Sequence, residues 1–230
     1  MNDGEQSFQM KEDRSSAMTT RKRVTVFLFI PNIIGYIRII LTVLAFSRWK
    51  DHVRFNALYF TGFILDGADG LAARRFNQSS EFGAILDMLT DRCATAGLLS
   101  ILSHLYPAYA YIFMFLVFLD GYSHWLQMAS GLCAGATSHK QATGRSFLLR
   151  LYYSRAILTF VCFFTELFFL MLYTAYFTKE PVVQIGQWTV SVVKVLAWFS
   201  FPTFLLKQII NLRQITSSHS LFLETTQKAR

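Results

Sequence analysis

Asp66, Asp69, Asp87 and Asp91 stand in otherwise apolar sequence, with Phe60 to Leu65 on one side and Ala84 to Leu102 on the other. A carboxylate at the centre of a membrane span costs about 3 kcal/mol on insertion scales, and spans that keep one aim it at a cavity, a partner or an ion. Positions three or four apart share a helix face, so Asp66 pairs with Asp69 and Asp87 with Asp91. The segment Ala-Arg-Arg-Phe-Asn-Gln-Ser-Ser between them has the composition of a turn joining antiparallel helices. Folding back at that turn brings both pairs into one small volume. There the four carboxylates repel one another unless cations intervene, which predicts a site for two divalent ions. Ligation by oxygen alone suits Mg²⁺ or Mn²⁺, and two such ions can clamp a phosphoryl group and stabilise its leaving oxygen. Gly67, Gly70 and Gly83 let a helix or a flat ligand approach the backbone, and the planar fork of Arg74 matches phosphate oxygens. Interhelical hydrogen bonding would explain one such aspartate, but not four in this register.

The elements that position these residues follow from composition. Hydrophobic types make up 53% of the 230 residues, with 23 Phe, while 16% are charged. Such runs satisfy their backbone polar groups as helices or closed barrels. The runs here are long and lack ten-residue alternation, which predicts an all-α, polytopic membrane protein. Pro31-Asn32 opens a first span to Phe46. Further spans are expected over Asn56–Arg74, Ala84–Ser103, Ala108–Ser130, Ala156–Phe177 and Gln187–Leu206. The result is a six-transmembrane-helix bundle with a cytosol-facing polar cavity. Residues 1–20 read as a disordered cytosolic tail, 21–210 as the six-span domain and 211–230 as a polar cytosolic C-terminal tail. Cys93, Cys133 and Cys162 lie in apolar stretches and form neither a disulfide framework nor a zinc pattern.

The net charge of +8 is not arranged as a nucleic-acid-binding stripe. With the N-terminus cytosolic, that side receives Arg21, Lys22, Arg23, Arg74, Arg75, Lys140, Arg145, Arg150, Lys207 and Arg213. The other side receives Arg48, Lys50, Arg54 and Lys179. This asymmetry places both termini and the aspartate motif at the cytosolic face, with the bases meeting anionic membrane lipids.

The run Asp66-Gly67-Ala68-Asp69-Gly70-Leu71-Ala72-Ala73-Arg74, followed by Gly83-Ala84-Ile85-Leu86-Asp87-Met88-Leu89-Thr90-Asp91, resembles without a gap the signature of the CDP-alcohol phosphatidyltransferases. The likeness narrows to the eukaryotic phosphatidylinositol synthases through Pro31 to Arg38, Ser123-His124-Trp125, Thr137 to Lys140, Leu151-Tyr152-Tyr153 and Glu166-Leu167-Phe168. It covers about residues 30–210. The resemblance implies that Asp66, Asp69 and Asp87 are the principal metal ligands, and that Asp91 is the general base and a ligand of the second ion. It implies CDP-diacylglycerol as donor, with the diphosphate on the metals and the cytidine by the motif glycines. It further implies myo-inositol as acceptor, CMP as product, the endoplasmic reticulum membrane and a homodimer. Thr165 stands where relatives tend to carry Asn, which weakens a side-chain role there.

A polyol acceptor needs several donors and acceptors. His124, Gln127, Ser138, His139, Lys140 and Arg155 lie near the cytosolic half of the fourth and fifth spans and are candidates for it. Asn32 and Arg38 are candidates for site support. An arginine inside a first span must find an anion, either at the site or in a structural pair with Asp120 or Glu166. Two alternatives remain open at this point. One is transfer to glycerol 3-phosphate, serine, choline or ethanolamine, and the other is a small ion channel or transporter lined by the acids.

Overall fold

The computed structural model describes residues 25–133, 154–178, 182–185 and 188–228. Among the described residues six long helices follow in order: α1 Ile30–Ser47, α2 His52–Arg75, α3 Glu81–Leu105, α4 Ala110–Cys133, α5 Arg155–Phe177 and α6 Val192–Lys228. A 3₁₀ turn, Pro107–Tyr109, leads into α4. Local chemistry sets several of these starts. Pro31 occupies the first turn of α1, where its missing N–H leaves no bond unmade. Asp51 caps α2 by accepting from Arg54 N, and Ser80 caps α3 by accepting from Gly83 N at 3.0 Å. Between α2 and α3, Asn77 turns the chain at φ 52°, a left-handed conformation that asparagine tolerates.

α1 Ile30–Ser47, the α5 segment Ala156–Phe177 and the α6 segment Val192–Gln227 are long and apolar enough to cross a bilayer. The chain is a polytopic, all-α membrane protein. The span expected from Gln187 differs at both ends. Val182–Ile185 and Trp188–Ser191 pair instead as a two-stranded antiparallel hairpin, β1 and β2, with Val182 opposite Ser191. α6 starts only at Val192 and continues through residues expected to be tail. Its extension is held because its polar residues point inward: Asn211, Gln214 and Ser218 are buried, and Ser218 Oγ donates to Gln127 Oε1 of α4 at 3.2 Å.

The apolar core fills the end of the bundle away from the aspartates. Phe55 of α2, Leu102 of α3, Phe113 of α4, Tyr173 of α5 and Phe204 of α6 meet there. The rings of Phe55 and Tyr173 stand 4.2 Å apart, and Tyr173 donates its hydroxyl proton to Trp49 O at 2.7 Å. α1 packs along α2 and also against α3, and α6 packs against α4 and α5. α2 and α3, the two helices bearing the acids, make few direct contacts with each other. They diverge around a cavity, and α1 bridges them.

Candidate active site

Asp66 and Asp69 come from the cavity end of α2, and Asp87 and Asp91 from the opening turns of α3. Asp66, Asp69 and Asp87 each present a carboxylate oxygen within 4.8 Å of the other two. This is an oxygen-only donor set, the kind that holds a hard divalent cation. Arg38 of α1 reaches into the same volume. Its Nη1 lies 2.6 Å from Asp69 Oδ2 and 3.0 Å from Asp87 Oδ1. Its Nη2 lies 2.7 Å from Asp66 Oδ1 and also pairs with Asp91. The Arg38 side chain is 4% exposed, whereas Asp66 and Asp91 are 35% and 32% exposed, so the guanidinium is buried while the carboxylates keep a face on the cavity. One guanidinium against four carboxylates leaves the centre strongly negative, which favours cations there.

Two cavities share this centre as a wall. The larger, about 450 Å³, runs from Asp66, Gly67 and Arg74 past Phe63, Leu116 and Phe163 to Lys207 and Gln208. The smaller, about 150 Å³, lies between Asn32, Gly35, Gln78, Gly83 and Ala84. Asp69, Gly70 and Asp87 line both. The motif glycines differ in what surrounds them. A Cβ on Gly67 would meet nothing within 4 Å, one on Gly70 would sit 3.3 Å from Arg74 Nη1, and one on Gly83 would press within 2.8 Å of Asn32 Oδ1.

The far wall of the larger cavity is polar and buried. Arg92 Nη1 donates to both oxygens of Asp120 at 2.7 Å. His124 Nδ1 lies 2.8 Å from Asp120 O, and because a carbonyl oxygen only accepts, Nδ1 carries the proton. Nε2 then accepts from Lys207 Nζ at 3.3 Å. Glu166 accepts from Tyr59 Oη at 2.9 Å and from Thr95 Oγ1. Arg92 Nε and Thr165 Oγ1 are buried without a hydrogen-bond partner among the described residues. Both residues line the cavity, and native interiors rarely leave such atoms unpaired unless a ligand or water answers them.

The CDP-alcohol phosphatidyltransferase family matches residues 28–224. The chain belongs to this family. It is 43% identical over 195 residues to the CDP-diacylglycerol--inositol 3-phosphatidyltransferase of Drosophila melanogaster, covering 84% of each chain. It is 41% identical over 206 residues to the enzyme of that description from Saccharomyces cerevisiae, covering 87% of this chain and 90% of that one. Against the Homo sapiens protein so described the identity is 38% over 200 residues, covering 85% of this chain and 92% of that one. No solved structure matches. As a CDP-alcohol phosphatidyltransferase, the chain presents its signature acids and glycines to these two cavities, and the channel alternative falls away.

The remaining candidates separate in space. Arg38 does not pair with Asp120 or Glu166: those acids are engaged by Arg92, and by Tyr59 and Thr95. Asn32 is buried and donates from Nδ2 to Val26 O at 2.6 Å, which fixes it beside Gly83. Arg74 and Arg75 are both exposed, but only Arg74 lines the cavity, at its rim. His124 lines the larger cavity, but Gln127 is fully buried between α4 and Ser218 of α6 and does not. Ser138, His139 and Lys140 lie outside the described residues, as does the side chain of Arg155 at the start of α5.

Lys207, read from the sequence as a cytosolic charge marker, is 4% exposed and belongs to the cavity wall. Sequence reasoning also misses Arg92 and Asp120 as wall residues. The available signal is their occurrence as charges within long apolar runs, the same signal that singles out the aspartates.

Proposed function

We propose that this chain transfers the phosphatidyl group of CDP-diacylglycerol to myo-inositol, giving phosphatidylinositol and CMP. The observation that carries the reading is the meeting of the four signature aspartates at one centre, with Asp69 and Asp87 on the wall between two cavities. The relatives' common activity assigns the acceptor. In this reading the nucleoside lies on the smaller cavity beside Gly70 and Gly83, and the larger cavity takes inositol and the diacylglycerol end. The reacting diphosphate crosses the wall between them.

Asp66, Asp69, Asp87 and Asp91 would hold two divalent ions, Mg²⁺ or Mn²⁺. Ions bound there neutralise diphosphate charge and polarise the bond to be broken. Arg74, at the rim, holds phosphate oxygens through its planar fork. An inositol hydroxyl oxygen attacks the phosphorus attached to diacylglycerol, the bond from that phosphorus to the CMP oxygen breaks, and the hydroxyl proton passes to Asp91. The acceptor rests against the buried polar wall. His124, Lys207, Arg92 and the Thr165 hydroxyl supply donors and acceptors, and a ring bearing many hydroxyls satisfies the unpartnered Arg92 Nε and Thr165 Oγ1. A wall of this kind discriminates against acceptors that leave its groups unmatched. Thr165, discounted from sequence, therefore takes a contact role.

We place the chain in the endoplasmic reticulum membrane as a six-span homodimer with both termini and the site cytosolic, in keeping with the distribution of basic residues. Purified protein given Mg²⁺ or Mn²⁺ and labelled CDP-diacylglycerol will release CMP when inositol is added. Equal release with serine or glycerol 3-phosphate would overturn the acceptor assignment, and release unaffected by a chelator would overturn the metal assignment.

A further inference from the structure

Arg38 has an unusual position. A single side chain from α1 spans two acids of α2 and two of α3. Those two helices make few direct contacts, so much of the link between them at this level runs through α1. α1 is seated closely enough to hold that reach: a Cβ on Gly35 would stand 3.0 Å from Leu86 of α3, and Thr42 Oγ1 donates to Arg38 O at 2.8 Å. The nearest other cation, Arg92, stands 3.8 Å from Asp91 but is committed to Asp120. Three of the four carboxylates that Arg38 contacts, those of Asp66, Asp69 and Asp87, form the divalent-ion donor set. A divalent ion and a guanidinium cannot share those oxygens without strong like-charge repulsion at such short range.

We propose that Arg38 is a tethered cation that exchanges with the divalent ions at the four aspartates, holding the motif ends of α2 and α3 in register whenever the ions are absent. The proposal rests on the divalent-ion reading of these acids. It makes Arg38 a positioning residue that competes with metal, and it predicts that removing the competitor strengthens metal binding while weakening the metal-free protein.

The test uses the full chain in detergent, with Mn²⁺ binding measured by electron paramagnetic resonance and thermal unfolding followed in EDTA and in Mn²⁺. Arg38→Gln is expected to bind Mn²⁺ about tenfold tighter than the parent, a difference of about 1.4 kcal/mol. It should also unfold at lower temperature in EDTA and gain more from Mn²⁺. Arg38→Lys keeps one charge but cannot bridge four carboxylates, so it shifts the same way by less. If Arg38→Gln does not survive EDTA, the Lys variant decides. Mn²⁺ affinity equal to or weaker than the parent's in the deciding variant overturns the exchange. Failure of the parent itself to bind Mn²⁺ refutes the metal reading and not only the exchange.

Discussion

Replacing Asp120 by Asn tests whether the polar wall is an electrostatic unit. Asp120 accepts two 2.7 Å bonds from Arg92 Nη1, and the two side chains are 12% and 15% exposed. Arg92 has no other carboxylate so close, since Asp91 lies 3.8 Å from its Nη2. The substituted amide keeps the shape and one acceptor but removes the charge. Breaking a buried pair from one side costs about 3–5 kcal/mol, because the remaining charge stays desolvated and uncompensated. Arg92 is also left to turn towards Asp91, drawing that carboxylate away from the signature cluster. Denaturant unfolding in micelles should therefore show a loss near that range, and turnover should fall with it. Adding Arg92→Gln removes the orphaned cation, so the double variant should be less destabilised than the two single losses together, with a coupling of about 2 kcal/mol. A loss under about 1 kcal/mol for Asp120→Asn, the size of a solvent-exposed pair, or strict additivity in the double variant, would refute the reasoning.

Changing Asp66, Asp69, Asp87 or Asp91 to Asn should each lower turnover about 100-fold or more, as expected when a group stabilising transition-state charge is lost. Near-normal turnover and Mn²⁺ affinity in Asp87→Asn would remove that ligand from the centre, and recovery of Asp91→Asn by saturating metal alone would demote it from base to ligand. Arg74→Lys should raise the KM for CDP-diacylglycerol roughly tenfold, one charge-assisted bond at about 1.5 kcal/mol. The inositol constant should change less, and Arg75→Lys should leave both unchanged. Steady-state kinetics of the two variants checks this, and an unchanged donor constant and turnover in Arg74→Lys would remove it from the diphosphate. Ending the chain at residue 210 deletes Asn211, Gln214 and Ser218, and with them the buried polar seam against α4. Inositol use should collapse through displacement of Lys207 and His124, whereas full activity in an inositol titration would make the segment dispensable.

Much of the candidate site is legible in the sequence because membrane insertion makes each carboxylate within an apolar run conspicuous. Asp66, Asp69, Asp87 and Asp91 announce themselves by spacing on two helices, and the helices themselves by long apolar runs. What stays hidden depends on pairing between distant segments. Arg38 shows its need for an anion, but nothing local says which of six acids in four helices it meets. Lys207 looks like one more base at a span end, and only the rotation of α6 turns it inward onto His124. The extent of α6 is underestimated for a related reason. Residues 211–228 are polar, and a polar stretch after an apolar one resembles a tail unless its inward face finds partners such as Gln127. The motif halves are expected to fold back on each other, which the carboxylates do. The backbones of α2 and α3 nevertheless diverge, because α1 stands between them and the space left is the cavity.

The most direct measurement follows the phosphorus. CDP-diacylglycerol carrying ³²P only on the phosphate attached to diacylglycerol is incubated with the purified chain, a divalent metal and myo-inositol. The account predicts that the label moves into phosphatidylinositol, that the released CMP is unlabelled, and that omitting inositol or adding a chelator stops both. Label appearing in a nucleotide, or lipid product forming as fast with another alcohol in place of inositol, would contradict it.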